Sequence, residues 1–110
     1  MKHLAICMIS VIYIVALNTA LADEGENIFK SQGCVQCHKK ESTSKVRPSL
    51  TEIATAYKGK EEQLIKYLQG EAEAIVRPEK ANLMKRHIEK TKKLSDANRK
   101  ALADYLLRQQ

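Results

Sequence analysis

Apolar residues recur along this chain in two ways. From Leu4 to Leu17 they run almost unbroken, "LAICMISVIYIVAL". After residue 22 they come singly and in pairs, three and four positions apart, with charged residues between them. That second spacing is helical. Residues 23–31 start with acidic side chains, which favour a helix N-terminus, and Gly33 suits the stop. Leu50, Ile53, Ala54 and Tyr57 share one face. Ser49 and Glu52 form a capping box ahead of it, and Gly59 closes the stretch. Leu64, Ile65 and Leu68 make another stripe, ended by Gly70. Pro78 interrupts any continuation. Ala97, Ala101, Leu102, Tyr105 and Leu106 line a last helix that starts at Ser95. Residues 39–48 are polar and read as a loop. No stretch holds the period-two alternation of a strand over useful length, so the pattern predicts an all-α chain.

The unbroken block is a different object. Lys2 and His3 precede it, and Ala20 and Ala22 follow in an A-x-A arrangement. Basic start, apolar run and small-residue site are the grammar of a secretory leader cleaved after Ala22. The run has 14 residues, whereas a bilayer span needs about 20. Cys7 lies inside the run rather than just after it, which disfavours a lipid anchor. The expected organisation is a signal peptide over 1–22 and one domain over 23–110.

Composition then changes the picture in one respect. The domain has no Trp, one Phe and three Tyr. A chain this small is hard pressed to bury enough core from side chains alone. Small exported domains add a disulfide, a metal or another staple.

The staple is suggested by "CVQCH". Cys34 and Cys37 are the two cysteines outside the leader, and His38 follows directly. A disulfide across so short a loop gains little chain entropy. A redox dithiol of the thioredoxin kind follows a strand in a βαβ unit, which the pattern lacks. Structural zinc needs four ligands, and beyond Cys34, Cys37 and His38 the domain has one more histidine, His87, and no third cysteine. C-x-x-C-H is the attachment sequence of c-type haem: two thioethers to the porphyrin and an adjacent axial imidazole.

With this motif the chain resembles the small class I c-type cytochromes, the single-haem electron carriers of bacterial periplasms. The resemblance covers most of 23–110. It rests on "CVQCH", then on "GENIF", "RPSL", a methionine in the second half and "LSDANRKALADYLL". It implies short helices wrapped around one covalent haem, with the haem itself as the missing core. It implies a close crossing of first and last helices, with Gly25 and Phe29 meeting Leu102 and Tyr105. It implies His38 and Met84 as axial iron ligands; Met84 is the one methionine after the leader and lies 46 residues beyond His38. The family often has proline after this methionine, and here Lys85 stands there. His87 is the rival ligand. The carbonyl of Pro48 is implied as the acceptor for His38, although Arg47 replaces the family's glycine before that proline. Arg47 is a candidate contact for a haem propionate. Tyr57 and Tyr67 are weaker candidates, with core packing the simpler role.

Charge bears on partners. Of the 19 basic residues Lys2 alone lies in the leader, against 13 acidic residues, all in the domain, so the domain keeps a net charge near +5. Lys39, Lys40, Lys45 and Arg47 follow the motif; Lys80, Lys85, Arg86, Lys90, Lys92 and Lys93 surround Met84. If both groups rim one face, they would steer a redox protein with an acidic surface. Nucleic acid is a poor partner for an exported haem protein. The resulting expectation is a monomeric periplasmic carrier of single electrons rather than an enzyme. A haem c subunit of an oxidoreductase complex, for instance one oxidising sulfur compounds, is the alternative. A haem sensor would need an open sixth position.

Overall fold

The computed structural model describes residues 24–110. The leader, its cleavage point after Ala22 and Asp23 lie outside the described residues. Among the described residues there are five α-helices and no strand: α1 (24–31), α2 (Leu50–Ala56), α3 (Glu61–Leu68), α4 (Lys85–Thr91) and α5 (Asp96–Leu107). Two 3-10 segments, Cys34–Gln36 and Pro78–Met84, stand between them. The all-α expectation holds. No helix among the described residues is long and apolar enough to cross a membrane.

The predicted caps form. Ser49 Oγ accepts from Glu52 N at 3.0 Å and starts α2. Ser95 Oγ accepts from Asn98 N at 3.1 Å and starts α5. Each satisfies one N–H that the first helical turn would otherwise leave without a partner. The box at α2 is only half built, because the Glu52 carboxylate turns away to Arg77. The apolar stripes then meet. Ile28 and Phe29 of α1, Leu50 of α2, Leu64 and Leu68 of α3 and Leu102 and Leu106 of α5 belong to one buried cluster. α5 packs on both α2 and α3. Ala97, expected on the α5 stripe, is exposed; it sits in the first turn, before the helix reaches the core.

The crossing of α1 and α5 depends on Gly25. A Cβ there would fall on the Ala101 carbonyl oxygen and within 2.7 Å of Tyr105 Cβ. Only glycine allows that approach. One turn on, the rings of Phe29 and Tyr105 lie 5.3 Å apart at 46°, a tilted aromatic contact that adds to burial.

Helix α4 departs from expectation. The sequence pattern left 79–94 without a helix, yet Pro78–Met84 winds as 3-10 and α4 continues from it. Its own apolar content is slight, so its stability comes from ties to neighbours. Thr91 Oγ1 donates to Leu68 O at 2.7 Å and fastens α4 to the end of α3. Arg99 is only 5% exposed. Its guanidinium donates to the carbonyls of Thr91, Lys92 and Leu94 and to Asp96 Oδ1. The bonds to Lys92 and Leu94 satisfy carbonyls just past the end of α4 that lack helical partners.

Candidate functional site

Gly33 takes φ 78 and ψ 9, a left-handed conformation open to glycine, and so turns the chain sharply out of α1. The 3-10 turn that follows folds the motif onto itself. Cys37 N donates to Cys34 O at 3.2 Å and His38 N to the same oxygen at 2.9 Å. One turn of backbone therefore presents Cys34, Cys37 and His38 together. The two thiols are not joined to each other.

His38 is 8% exposed. Its ring Nδ1 lies 2.9 Å from Pro48 O. A carbonyl can only accept, so Nδ1 carries a proton, and in the neutral ring that leaves Nε2 as the nitrogen with the lone pair. The bond also fixes the ring plane, as expected for an imidazole that holds a metal. Arg47, in place of glycine, leaves it intact. The loop between is tied at its base, with Leu50 N donating to Lys39 O at 2.8 Å and Thr51 Oγ1 to Lys40 O at 3.0 Å.

These groups face a cavity of about 340 Å³. Cys34, Cys37 and His38 line it, and so do Phe29, Leu64, Leu102 and Leu106 from the helical core. Met84 ends the second 3-10 segment, half-buried, and lines the same cavity. His87, one turn further, lines it too. The fold thus gathers on one space residues that are 46 and 49 positions apart in the chain.

Electrostatics follow from burial. Desolvation raises the Cys34 thiol pKa, against the smaller opposing pull of backbone hydrogen bonding and Lys90. Burial pushes Tyr67, on the cavity wall, up to about 12, with Tyr57 adding to the effect. Partial burial, then Lys90, Arg86 and His38, hold His87 below the ordinary histidine range. His87 is therefore neutral at pH 7.

Of the basic residues expected around the site, Arg47, Lys80 and Arg86 line the cavity. Lys39 folds back onto Val35 O at 2.8 Å, and the Lys92 stem lies 3.9 Å from where a Cβ on Gly70 would be. Exposed Val46 and Leu83 stand at the cavity among the charges. Arg47 is exposed, and Tyr57 is buried in the core cluster as well as lining the cavity. Sequence reasoning missed Arg77, which lines the cavity in a left-handed conformation and pairs with Glu52. No local sequence signal marks it, since its partners lie 25 and 33 residues away.

The donor set fits a covalent haem. Two unpaired thiols and an imidazole oriented by its Nδ1 bond lie on one wall of a predominantly apolar cavity, with a thioether on the same space. Zinc does not fit as well, because no group of three or more His, Cys, Asp and Glu residues is arranged for a metal among the described residues.

Comparison with known proteins points the same way. The family model described as cytochrome c matches residues 22–110. Cytochrome c-551 of Stutzerimonas stutzeri is 39% identical over 61 residues, which cover 56% of this chain and 58% of that relative. The match thus spans less than two thirds of the relative's length.

Proposed function

The chain belongs to the cytochrome c family, as a small class I c-type cytochrome carrying covalent haem c, and on that premise we propose that it is an exported one-electron carrier. The observation that carries the reading is the single cavity shared by Cys34, Cys37, His38 and Met84. Cys34 and Cys37 would hold the haem through thioethers. His38, through Nε2, and Met84 would be the protein ligands to the haem iron. When bound, the haem supplies an iron that alternates between ferric and ferrous states and so carries one electron.

The protein's own residues shape that chemistry. The Pro48 carbonyl holds the His38 proton on Nδ1 and fixes the orientation of the ring. The soft sulfur of Met84 favours the ferrous state and raises the reduction potential. Two strong side-chain ligands leave no position for substrate, which supports electron carriage over catalysis. Phe29, Leu64, Leu102 and Leu106 keep water from the site. Arg47, Lys80 and Arg86, with Val46 and Leu83 between them, offer a basic rim with an apolar centre to an acidic redox partner. The leader sends the protein to the periplasm as a monomer.

The ferric absorption spectrum tests the reading. The weak far-red band of a methionine–iron bond is expected in the wild type. Met84→Ala should abolish it and lower the potential by on the order of 0.1 V, whereas His87→Ala should leave both unchanged. A five-coordinate, high-spin spectrum in the wild type would sink the carrier reading. Loss of the signature on His87→Ala instead would make His87 the ligand.

A further inference from the structure

Arg77 is, among the described residues, the one non-glycine residue with a positive φ, at φ 48 and ψ 60. A side chain in that region is disfavoured, so the surroundings must hold it there. The guanidinium shows how. Nε donates to Glu52 Oε1 at 3.1 Å and Nη2 to Glu52 Oε2 at 2.8 Å, a two-pronged pair. Nη1 donates to the Ser44 carbonyl. The Arg77 side chain is 22% exposed and lines the cavity.

The partners' positions give the arrangement its meaning. Glu52 stands in the first turn of α2, three residues after the Ser49 cap. Ser44 organises the loop leading to Pro48, its Oγ accepting from Val46 N and Arg47 N. Both therefore belong to the structure that orients His38. Arg77 itself is the N-cap of the 3-10 segment that ends in Met84.

We infer that Arg77 is a positioning residue: its guanidinium fastens the Met84 segment to the loop and helix that hold His38, so one side chain sets the spacing of the two axial ligands. This rests on the reading of Met84 as a ligand. The fork geometry suits an arginine, because three donors act at once on two separate partners; a lysine ammonium cannot match both directions as well. The left-handed backbone is then the conformation that aims the fork back across the cavity.

The haem-loaded full-length protein allows the test. Two transitions are followed in denaturant: loss of the far-red methionine–iron band and loss of helical ellipticity. In Arg77→Gln the band should disappear at lower denaturant, with its equilibrium constant for loss raised about tenfold or more, while the helical midpoint moves much less. Arg77→Gly relieves the backbone but should lose the band just as early. Arg77→Lys should recover part of the difference. Bands and helices that shift together in Arg77→Gln, or a wild-type band in Arg77→Gly, would overturn the inference. A wild type with no far-red band overturns the ligation reading and this inference with it, which is distinct from a wild-type band that Arg77→Gln leaves as durable. Should Arg77→Gln fail to fold, Glu52→Gln weakens the same pair while keeping the arginine, and its band must be lost early too.

Discussion

The two sides of the cavity are built by different means. The His38 side is short-range: the motif turns on itself within four residues, and the Pro48 carbonyl lies ten residues away. The Met84 side is long-range: Thr91 reaches back 23 residues to Leu68, and Arg77 reaches 25 to Glu52 and 33 to Ser44. Short loops close at small entropic cost, and long ones wait for the fold to assemble. Regions with few apolar anchors open first when stability is challenged. The difference implies a site with one side defined early and firmly, and another that is the weaker half of the pair.

The largest test of that contrast is Arg99→Met. The substitution removes a buried guanidinium and strands the carbonyls of Lys92 and Leu94. The expected loss is about 3 kcal/mol in denaturant unfolding, with amide exchange accelerated in α4 well before α2. Equal acceleration in both helices would break the comparison, for the two sides would then open as one unit.

A smaller effect concerns α3, whose Tyr67 lines the cavity, and depends on pH. Burial raises the Tyr67 pKa from 10.0 to about 12. Between those values the unfolded chain releases this proton and the folded protein keeps it. Alkali therefore pulls toward the unfolded state, and stability falls as pH rises through this window. The full shift corresponds to about 3 kcal/mol, which solvent screening of this partly exposed side chain reduces to about 2 kcal/mol. Tyr67→Phe should flatten that part of the curve relative to the wild type, measured by unfolding at pH 9 to 12. An unchanged slope would mean that the Tyr67 hydroxyl is not desolvated.

The same contrast explains what could be read from the chain. Helices α2, α3 and α5 were legible because each carries its own stop or cap and an apolar stripe: Ser49 and Ser95 are capping residues, and Gly59 and Gly70 mark ends; α1 was legible from its acidic start and Gly33. The motif was legible because it is local, and the place of Pro48 was implied by the family resemblance. α4 was not. "KRHIEKT" offers Ile88 as its single large aliphatic residue, so no stripe announces it, and it is held by Thr91 and Arg99 from outside. The Arg77 conformation was hidden for the same reason: a left-handed arginine is stable only in the presence of partners far along the chain. The diversion of Glu52 from its capping box follows from that distant pairing.

The smallest effect examines the His38 side, at Ser49. Its side chain accepts one N–H at the start of α2, and the residue is 7% exposed. Removing a cap of this kind costs about 1 kcal/mol. Glu52 cannot compensate, since its carboxylate is engaged by Arg77. Ser49→Ala should therefore lower global stability by about that amount and speed exchange at the first amides of α2. The comparison predicts more than the total. The Ser49 cap lies next to Pro48, yet it makes no bond to the Met84 segment, so exchange in α4 should stay near its wild-type rate. If α4 loosens as much as α2, the guanidinium bridge between the sides transmits the disturbance, and the two halves are better described as one cooperative frame around the cavity.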